Sequence, residues 1–409
     1  MTETAQNYGM LMLILGTVTI LSIPMQKLLG RASLPGMIGF IGIGLIIAMV
    51  DDRLRILTPF IFEQVEVLAQ LGIIALLFRF GIESSLDQLL GQLQRAIKVW
   101  LSDAVFPPLL VFALIWFWPG LGAVPALLVA IAASATSVGV SVTAWENANA
   151  LDTPEAALML DVAELDDLSA VILLGIVFAI TPHLHAGEQT IVAGEVLAAV
   201  AIQVIKIAAF CGICFVFSRQ VEERLSKVFV GLDKRVGPFA FAAGTVFLIA
   251  ALAEKLGFSM AIGALFAGLA FSRDAEERQI DRAFGYFLTV FAPFFFVSIG
   301  LSVALDGISA ALPLAFALLA ALIAGKLLGA GLAAWAVAGR RAGLLIGASM
   351  IPRAEIYLIV MLHGLTLGSW AMPQQLYTAA VLASIGTCLI GPLATGRLLV
   401  KKPTKEQKV

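Results

Sequence analysis

The run LMLDVAELDDLSAVILLG sets four carboxyl groups, Asp161, Glu164, Asp166 and Asp167, into an otherwise apolar segment. Four acids have no packing role in hydrocarbon, where each ionised carboxyl is costly unless a partner, a proton or a cation neutralises it. Asp166 and Asp167 would stand about 100° apart on a helix, so they address adjoining faces, and one can hold an ion while the other pairs elsewhere. Carboxylate oxygens suit hard cations such as Na+ or Li+. A carboxyl in this setting holds a proton or a cation but not both, the elementary requirement for exchanging one against the other. Asp161 and Glu164 read equally well as neutralising partners for basic groups on neighbouring helices.

Two further segments carry chemistry of a different kind. VAIAASATSVGVSVTAW is dense in hydroxyls and glycine, with Thr136 and Ser137 at its centre, and is compatible with a locally unwound helix whose freed carbonyls coordinate an ion. LLIGASMIPRAEIYLIV contains Pro352, which lacks an amide donor and disfavours helix at Ile351. Arg353 and Glu355 flank that break, and Arg353 should pair with Asp161, Glu164 or Glu355 as a supporting charge network. Lys326 lies near the centre of ALLAALIAGKLLGAGLAAWAV with no acid on its own helix, so an Asp of the acidic helix is its expected partner. An ammonium released from that partner would be a second proton carrier, giving two protons per cation and electrogenic exchange.

These residues need a frame. The chain has 409 residues, 60% hydrophobic and 13% charged, about half the charge of an ordinary soluble domain. It is therefore expected to be an all-α polytopic membrane protein. Segments long enough for about 30 Å of hydrocarbon fall near 8–26, 34–50, 65–82, 96–118, 122–145, 155–180, 190–218, 237–255, 258–272, 283–305, 309–338, 342–366 and 375–398, about thirteen spans. Counted as inside and outside loops, nineteen of the 26 Lys and Arg fall on one side against three on the other, which places the N-terminus outside and the C-terminus in the cytoplasm. Arg79, Lys206, Lys326 and Arg353 lie within spans. Arg79 stands four residues before Glu83, suiting an i,i+4 pair or snorkelling, and Lys206 has no evident partner.

Thirteen spans divide as six, one and six, and the odd connecting helix makes the two halves inverted repeats. The expected organisation is 1–189 for the first repeat, 190–236 for the connecting helix and inner loop, 237–400 for the second repeat and 401–409 for a short cytoplasmic tail. Internal echoes agree: Gly39 and Gly44-Leu45 match Gly263 and Gly268-Leu269, and Phe78-Arg79-Phe80-Gly81 matches Val297-Ser298-Ile299-Gly300. The interrupted helices then occupy corresponding positions of the two halves, the pattern that marks a midplane binding site.

SATSVGVSVTAW, ELDDLSAVILL, FFFVSIGLSV, IAGKLLGAGLA and MIPRAE together resemble the membrane domain of the monovalent cation:proton antiporters of the Kef/NapA-like group. The resemblance covers residues 10–400. It implies a sodium/proton antiporter with Asp167 as the cation- and proton-binding carboxylate, Asp166 as the partner of Lys326, and Thr136-Ser137 in an unwound crossing. It also implies a mobile core of helices 4–6 and 11–13, and a scaffold of helices 1–3 and 8–10 that forms a homodimer. Na+ leads K+, because the resemblance puts Asp166 where potassium-handling relatives commonly have a neutral amide. Ala354 replaces the usual glycine of that pattern. The chain ends at Val409 after a Lys-rich tail, so a nucleotide-binding regulatory domain is not expected.

Competing chemistries fit less well. A membrane aspartyl enzyme needs two acids facing one shared water, whereas neighbours on one helix diverge. A passive channel needs weak, multi-site occupancy, which adjacent carboxylates coupled to a lysine disfavour. The net charge of −2 suggests no nucleic acid partner, and no cofactor is expected. His183 and His185 lack a third ligand and read as a solvated loop, while Cys211, Cys214 and Cys388 read as packed thiols.

Overall fold

A computed structural model describes residues 3–31, 34–83, 86–185, 193–256, 258–271 and 277–400, and among these the chain is helical with no strand. The helices are α1 (Glu3–Arg31), α2 (Gly36–Leu54), α3 (Pro59–Glu83), α4 (Leu86–Trp116), α5 (Ala123–Ala132), α6 (Val138–Asn147), α7 (Pro154–His185), α8 (Ala193–Val216), α9 (Glu223–Leu232), α10 (Gly237–Lys255), α11 (Met260–Phe271), α12 (Glu277–Leu301), α13 (Ile308–Lys326), α14 (Leu332–Ala338), α15 (Arg340–Ser349), α16 (Glu355–Leu367) and α17 (Gln374–Val400). Among the described residues, seven helices are long and apolar enough to cross a membrane. Among the described residues each expected span is mainly helical, and two of them are interrupted: the fifth, by residues 133–137 between α5 and α6, and the twelfth, by residues 350–354 between α15 and α16. The seventh and eleventh continue through π-helical turns, Phe217–Glu222 and Leu327–Gly331. Helix α7 runs to His185, so the segment expected as an outer loop extends the helix; the side chains of His183 and His185 lie outside the described residues.

The chain divides into two compact units. The first comprises Met1–Leu28, Gly36–Gln88 and Gly175–Val303. Its helices approach at glycine. A Cβ on Gly44 of α2 would lie 2.2 Å from Val297 O and 2.9 Å from Gly300 Cα of α12. A Cβ on Gly81 of α3 would lie 2.2 Å from Leu265 O and 2.8 Å from Gly268 Cα of α11. Without a hydrophobic drive between helices in lipid, backbone approach of this kind supplies the dispersion contact that holds them together. A phenylalanine layer continues the packing, with ring centroids 4.2 Å apart for Phe78 and Phe284 and 5.5 Å apart for Phe241 and Phe271. Arg79 Nε reaches Asp281 Oδ1 of α12 at 3.1 Å, a cross-helix pair; the expected i,i+4 partner Glu83 has its side chain outside the described residues. Lys206 Nζ donates to Leu256 O at 3.3 Å, satisfying a carbonyl at the C-terminal end of α10, where a cation is favoured.

The second unit comprises Leu29–Pro35, Leu89–Leu174 and Ala304–Val409. Its apolar core joins Ala96 and Val99 of α4, Trp145 of α6, Met159 and Val162 of α7, Ala334 of α14 and Ile346 of α15. Small residues again set the approach: a Cβ on Gly325 would lie 2.7 Å from Pro107 Cα, and one on Gly329 would lie 3.1 Å from Asp103 Cα. The spacing KLLGAG therefore brings α13 and its π-helical turn hard against α4, directly beside Lys326.

Candidate ion-binding site

The two interruptions meet. Ser137 N donates to Pro352 O at 3.0 Å, so the non-helical backbone of one break is bonded to that of the other. Pro352 has no amide to donate, which ends α15 at this level and leaves carbonyls free. Side chains of α17 satisfy the second break: Thr387 Oγ1 accepts from Arg353 N at 3.0 Å, and Ser384 Oγ and Cys388 Sγ donate to Arg353 O at 2.6 and 3.2 Å. Ser141 Oγ ties the two breaks together further, sharing its one proton between Ser137 O at 2.8 Å and Ser349 O at 2.6 Å. Trp145 Nε1 donates to Ser349 Oγ at 2.9 Å. Irregular backbone in a membrane protein requires this degree of internal satisfaction.

Lys326, at the end of α13, is fully buried with its ammonium at the first break. It donates to Asp166 Oδ2 at 2.7 Å, Thr136 Oγ1 at 2.9 Å, Ser134 O at 2.9 Å and Asp103 Oδ2. Thr136 Oγ1 in turn donates to Asp166 Oδ2 at 2.8 Å. Ser134 O belongs to the carbonyl-rich C-terminal end of α5, the negative pole of that half-helix. Arg353, also fully buried, does the same for α15, donating from Nη1 to Met350 O and Pro352 O, each at 3.1 Å, and reaching Thr136 Oγ1 at 3.4 Å. At the positive N-terminal end of α16, Glu355 Oε2 accepts from Ser137 Oγ at 2.8 Å. Three half-helix poles at the crossing, the C-terminal ends of α5 and α15 and the N-terminal end of α16, thus face a compensating charge or hydroxyl.

Of the residues expected from sequence, Asp166, Thr136 and Lys326 come together in direct contact, and Ser137, Arg353 and Glu355 join them through the crossing. Asp161 and Glu164 are half-buried on α7, flanking Val162 and Ala163, which lie in the same buried apolar core as Ala334 of α14 and Ile346 of α15. Asp167 follows Asp166 in the helical backbone, and its side chain lies outside the described residues. Asp103 of α4 was not expected. It is fully buried and shares the Lys326 ammonium with Asp166. The signal was available: SDAVFPPLLV is an acid inside an apolar span, as anomalous by membrane-depth cost as the four acids of α7. Ser384, Thr387 and Cys388 were also not expected at the crossing, because nothing in the local pattern of α17 distinguishes them from small packing residues.

The ammonium has three protons for four acceptors. Two carboxylates and one ammonium leave an excess negative charge in a buried cluster, and Asp103 Oδ1 and Asp166 Oδ1 have no hydrogen-bond partner among the described residues. A cluster of this composition can accept one proton or one small cation.

The family described as sodium/hydrogen exchanger, transmembrane, matches residues 16–401. Among curated proteins, the chain is 28% identical over 324 residues to the probable Na+/H+ antiporter GerT of Bacillus cereus, covering 78% of this chain and 82% of the relative. It is 29% identical over 341 residues to the Na+/H+-K+ antiporter GerN of the same organism, covering 81% and 83%. The sodium proton antiporter MjNhaP1 of Methanocaldococcus jannaschii shares the fold, with a TM-score of 0.70 at 15% identity over 97% of this chain and 99% of that one.

Proposed function

The chain belongs to the sodium/hydrogen exchanger family, whose match spans residues 16–401, and from that premise we propose that it exchanges Na+ or Li+ for H+ across the cell membrane. The observation that carries the reading is the buried cluster at the crossing of two interrupted helices, where Asp166 and Asp103 share the Lys326 ammonium. A cation reaching Asp167 and the adjoining Asp166, with Thr136 and Ser137 at its edge, would displace a proton, and a proton would displace the cation. Mutually exclusive occupancy at one site, opened alternately to each side, is sufficient for antiport. Arg353 and Glu355 hold the crossing in place, with Asp161 and Glu164 as further charge on the same helix as Asp166. K+/H+ exchange is the second reading, favoured by the similarity to GerN, whose name includes potassium.

The inverted-repeat architecture is part of this proposal and has direct support. Matching Gly44 with Gly268 and Gly81 with Gly300 by sequence echo turns the Gly44–Gly300 contact into the Gly268–Gly81 contact. Both contacts exist, as a two-fold relation between halves requires. Thirteen crossings, an outside N-terminus, a cytoplasmic C-terminus and a homodimer built on the first unit complete the scheme, with the site-bearing unit as the moving element. Electrogenic exchange, with Lys326 giving up a second proton, needs Asp166 to be the whole counterion of that lysine; Asp103 argues for a different charge balance.

The test is cation-dependent dissipation of a pH gradient in proteoliposomes, comparing Na+, Li+ and K+. Exchange with an apparent cation affinity that weakens by up to about tenfold per pH unit as pH falls is expected for one competing proton. A cation affinity independent of pH over the active range would sink the one-site scheme.

A further inference from the structure

Asp103 is buried to the same extent as Lys326 and Asp166, and its position is built rather than incidental. Ser102 Oγ donates to Gly329 O at 2.9 Å, and Gly329 leaves room for Asp103 against the π-helical turn that directly follows Lys326. π-Turns in otherwise regular helices mark positions where backbone geometry is spent on a side-chain placement. The charged groups facing Asp103 are Lys326 from α13 and Asp166 from α7; Arg353 reaches the cluster through Thr136, and on α4 itself Lys98 is exposed. The Asp167 side chain lies outside the described residues.

We propose that Asp103 is the standing counterion of Lys326 in the exchange cycle, so that a cation can take Asp166 while the ammonium remains charged, and the proton given up comes from a carboxyl rather than from lysine. This rests on the antiport reading and adds to it the identity of the proton donor. The balance is simple. Two carboxylates and one ammonium sum to one negative charge, which one shared carboxyl proton neutralises in the cargo-free state. A cation that binds restores the same neutrality when that proton leaves for water, so one proton moves per cation at this cluster. Without Asp103 the Lys326–Asp166 pair is already neutral, so Asp166 could take a cation only by leaving the ammonium without a counterion, and the adjoining Asp167 would be the one carboxylate left to exchange a proton.

The experiment compares wild type, Asp103→Asn, Asp103→Glu, Lys326→Arg and the double variant Asp103→Asn/Lys326→Gln in proteoliposomes, reading apparent Na+ affinity and its pH profile, with folding checked by size-exclusion and thermal melts. Asp103→Asn is expected to weaken Na+ affinity at alkaline pH by about tenfold or more and, because the deleted charge also held the exchangeable proton, to move the onset of proton competition acid by about one unit or more. Asp103→Glu keeps the charge and the wild-type profile. Removing the ammonium as well, in the double variant, is expected to restore affinity to within about threefold, since one carboxylate then exchanges one proton for one cation. A brace would give no such rescue. Lys326→Arg, which cannot deprotonate, retains exchange if the ammonium stays charged. Folded Lys326→Arg without exchange, a wild-type profile for Asp103→Asn, or a double variant no better than Asp103→Asn would each overturn the proposal. Wild-type vesicles that move no protons with any of the three cations would count against antiport itself and leave the counterion assignment to the binding profile of purified protein.

Discussion

Replacing Thr136 by Val is nearly isosteric, so it removes the hydroxyl at the centre of the cluster without opening a cavity. The cost falls unevenly. Lys326 donates to four acceptors with three protons, so without Thr136 it keeps Asp103, Asp166 and Ser134 O, one for each proton. Asp166 Oδ2 loses a donor at 2.8 Å and has no replacement among its described neighbours. Arg353 Nη1 loses its 3.4 Å contact but keeps Met350 O and Pro352 O; a hydrogen bond to a charged group contributes about 1.5–3 kcal/mol, so the main expected loss is the one bond to Asp166. The loss belongs to the cargo-free state, where Asp166 has no cation and depends on its hydrogen-bond donors. Thermal unfolding in detergent, with saturating Na+ or with choline at equal ionic strength, separates the two states. The expected result is a larger Na+-induced stabilisation in Thr136→Val than in wild type, corresponding to about 1.5–3 kcal/mol of extra linkage. Thr136→Ser, which restores the hydroxyl, should behave as wild type. Equal Na+ responses in Thr136→Val and wild type would refute the assignment of the hydroxyl to Asp166.

In the first unit, Gly81→Ala puts a Cβ 2.2 Å from a backbone carbonyl oxygen and should destabilise the protein by about 1–3 kcal/mol, as overpacking does. Gly42→Ala meets nothing within 4 Å and should be neutral or stabilising by about 0.5–1 kcal/mol; comparable melts for the two would contradict the close-packed crossing. Asp167→Asn is expected to reduce exchange to background while leaving the melting profile intact, because an amide neither titrates nor replaces a carboxylate toward a cation; exchange near the wild-type level would exclude Asp167 from the site. At the loop before α10, Asp233 Oδ1 accepts from Arg235 N at 2.7 Å and Val236 N at 3.0 Å. The amide donors of Val236 and Arg235 hold this carboxyl below its ordinary value of 3.8. A depressed carboxyl stabilises the fold above its unfolded value and loses that contribution as pH falls through the folded one. Asp233→Asn should therefore flatten the stability difference between pH 7 and pH 3, measured by thermal melts at the two pH values.

The helical segments and both interruptions were legible because their causes are local. Apolar length, the proline at position 352 and the hydroxyl-rich stretch around Thr136 each act over a few residues. The Lys326–Asp166 contact was legible for a different reason: membrane depth makes an unpaired charge so costly that the list of partners is short. The same rule would have yielded Asp103, whose single acid in a long apolar run drew no notice beside the four acids of α7. Lys206 and Arg79 needed coordinates, because a backbone carbonyl at a helix end and a carboxylate on α12 leave no mark in the sequence around either residue. The close glycine contacts were foreshadowed as an echo between halves, but which glycine met which depended on tertiary packing.

The ion cluster also bears on how the chain is made. Lys326 lies 223 residues beyond Asp103 and 160 beyond Asp166. At about 5–20 residues per second the ribosome needs roughly 10–45 s to deliver the lysine after Asp103 has emerged. Throughout that interval α4 and α7 hold acids with no ammonium to meet them, so their settling into lipid depends on protonated carboxyls or on shelter within the insertion machinery. The glycine crossings impose a similar delay on the other unit, since α2 and α3 wait for α12 and α11. Assembly of both units is therefore a late, post-insertion event, and a nascent chain released after α7 carries the buried acids of α4 and α7 without the ammonium that makes them tolerable in a bilayer.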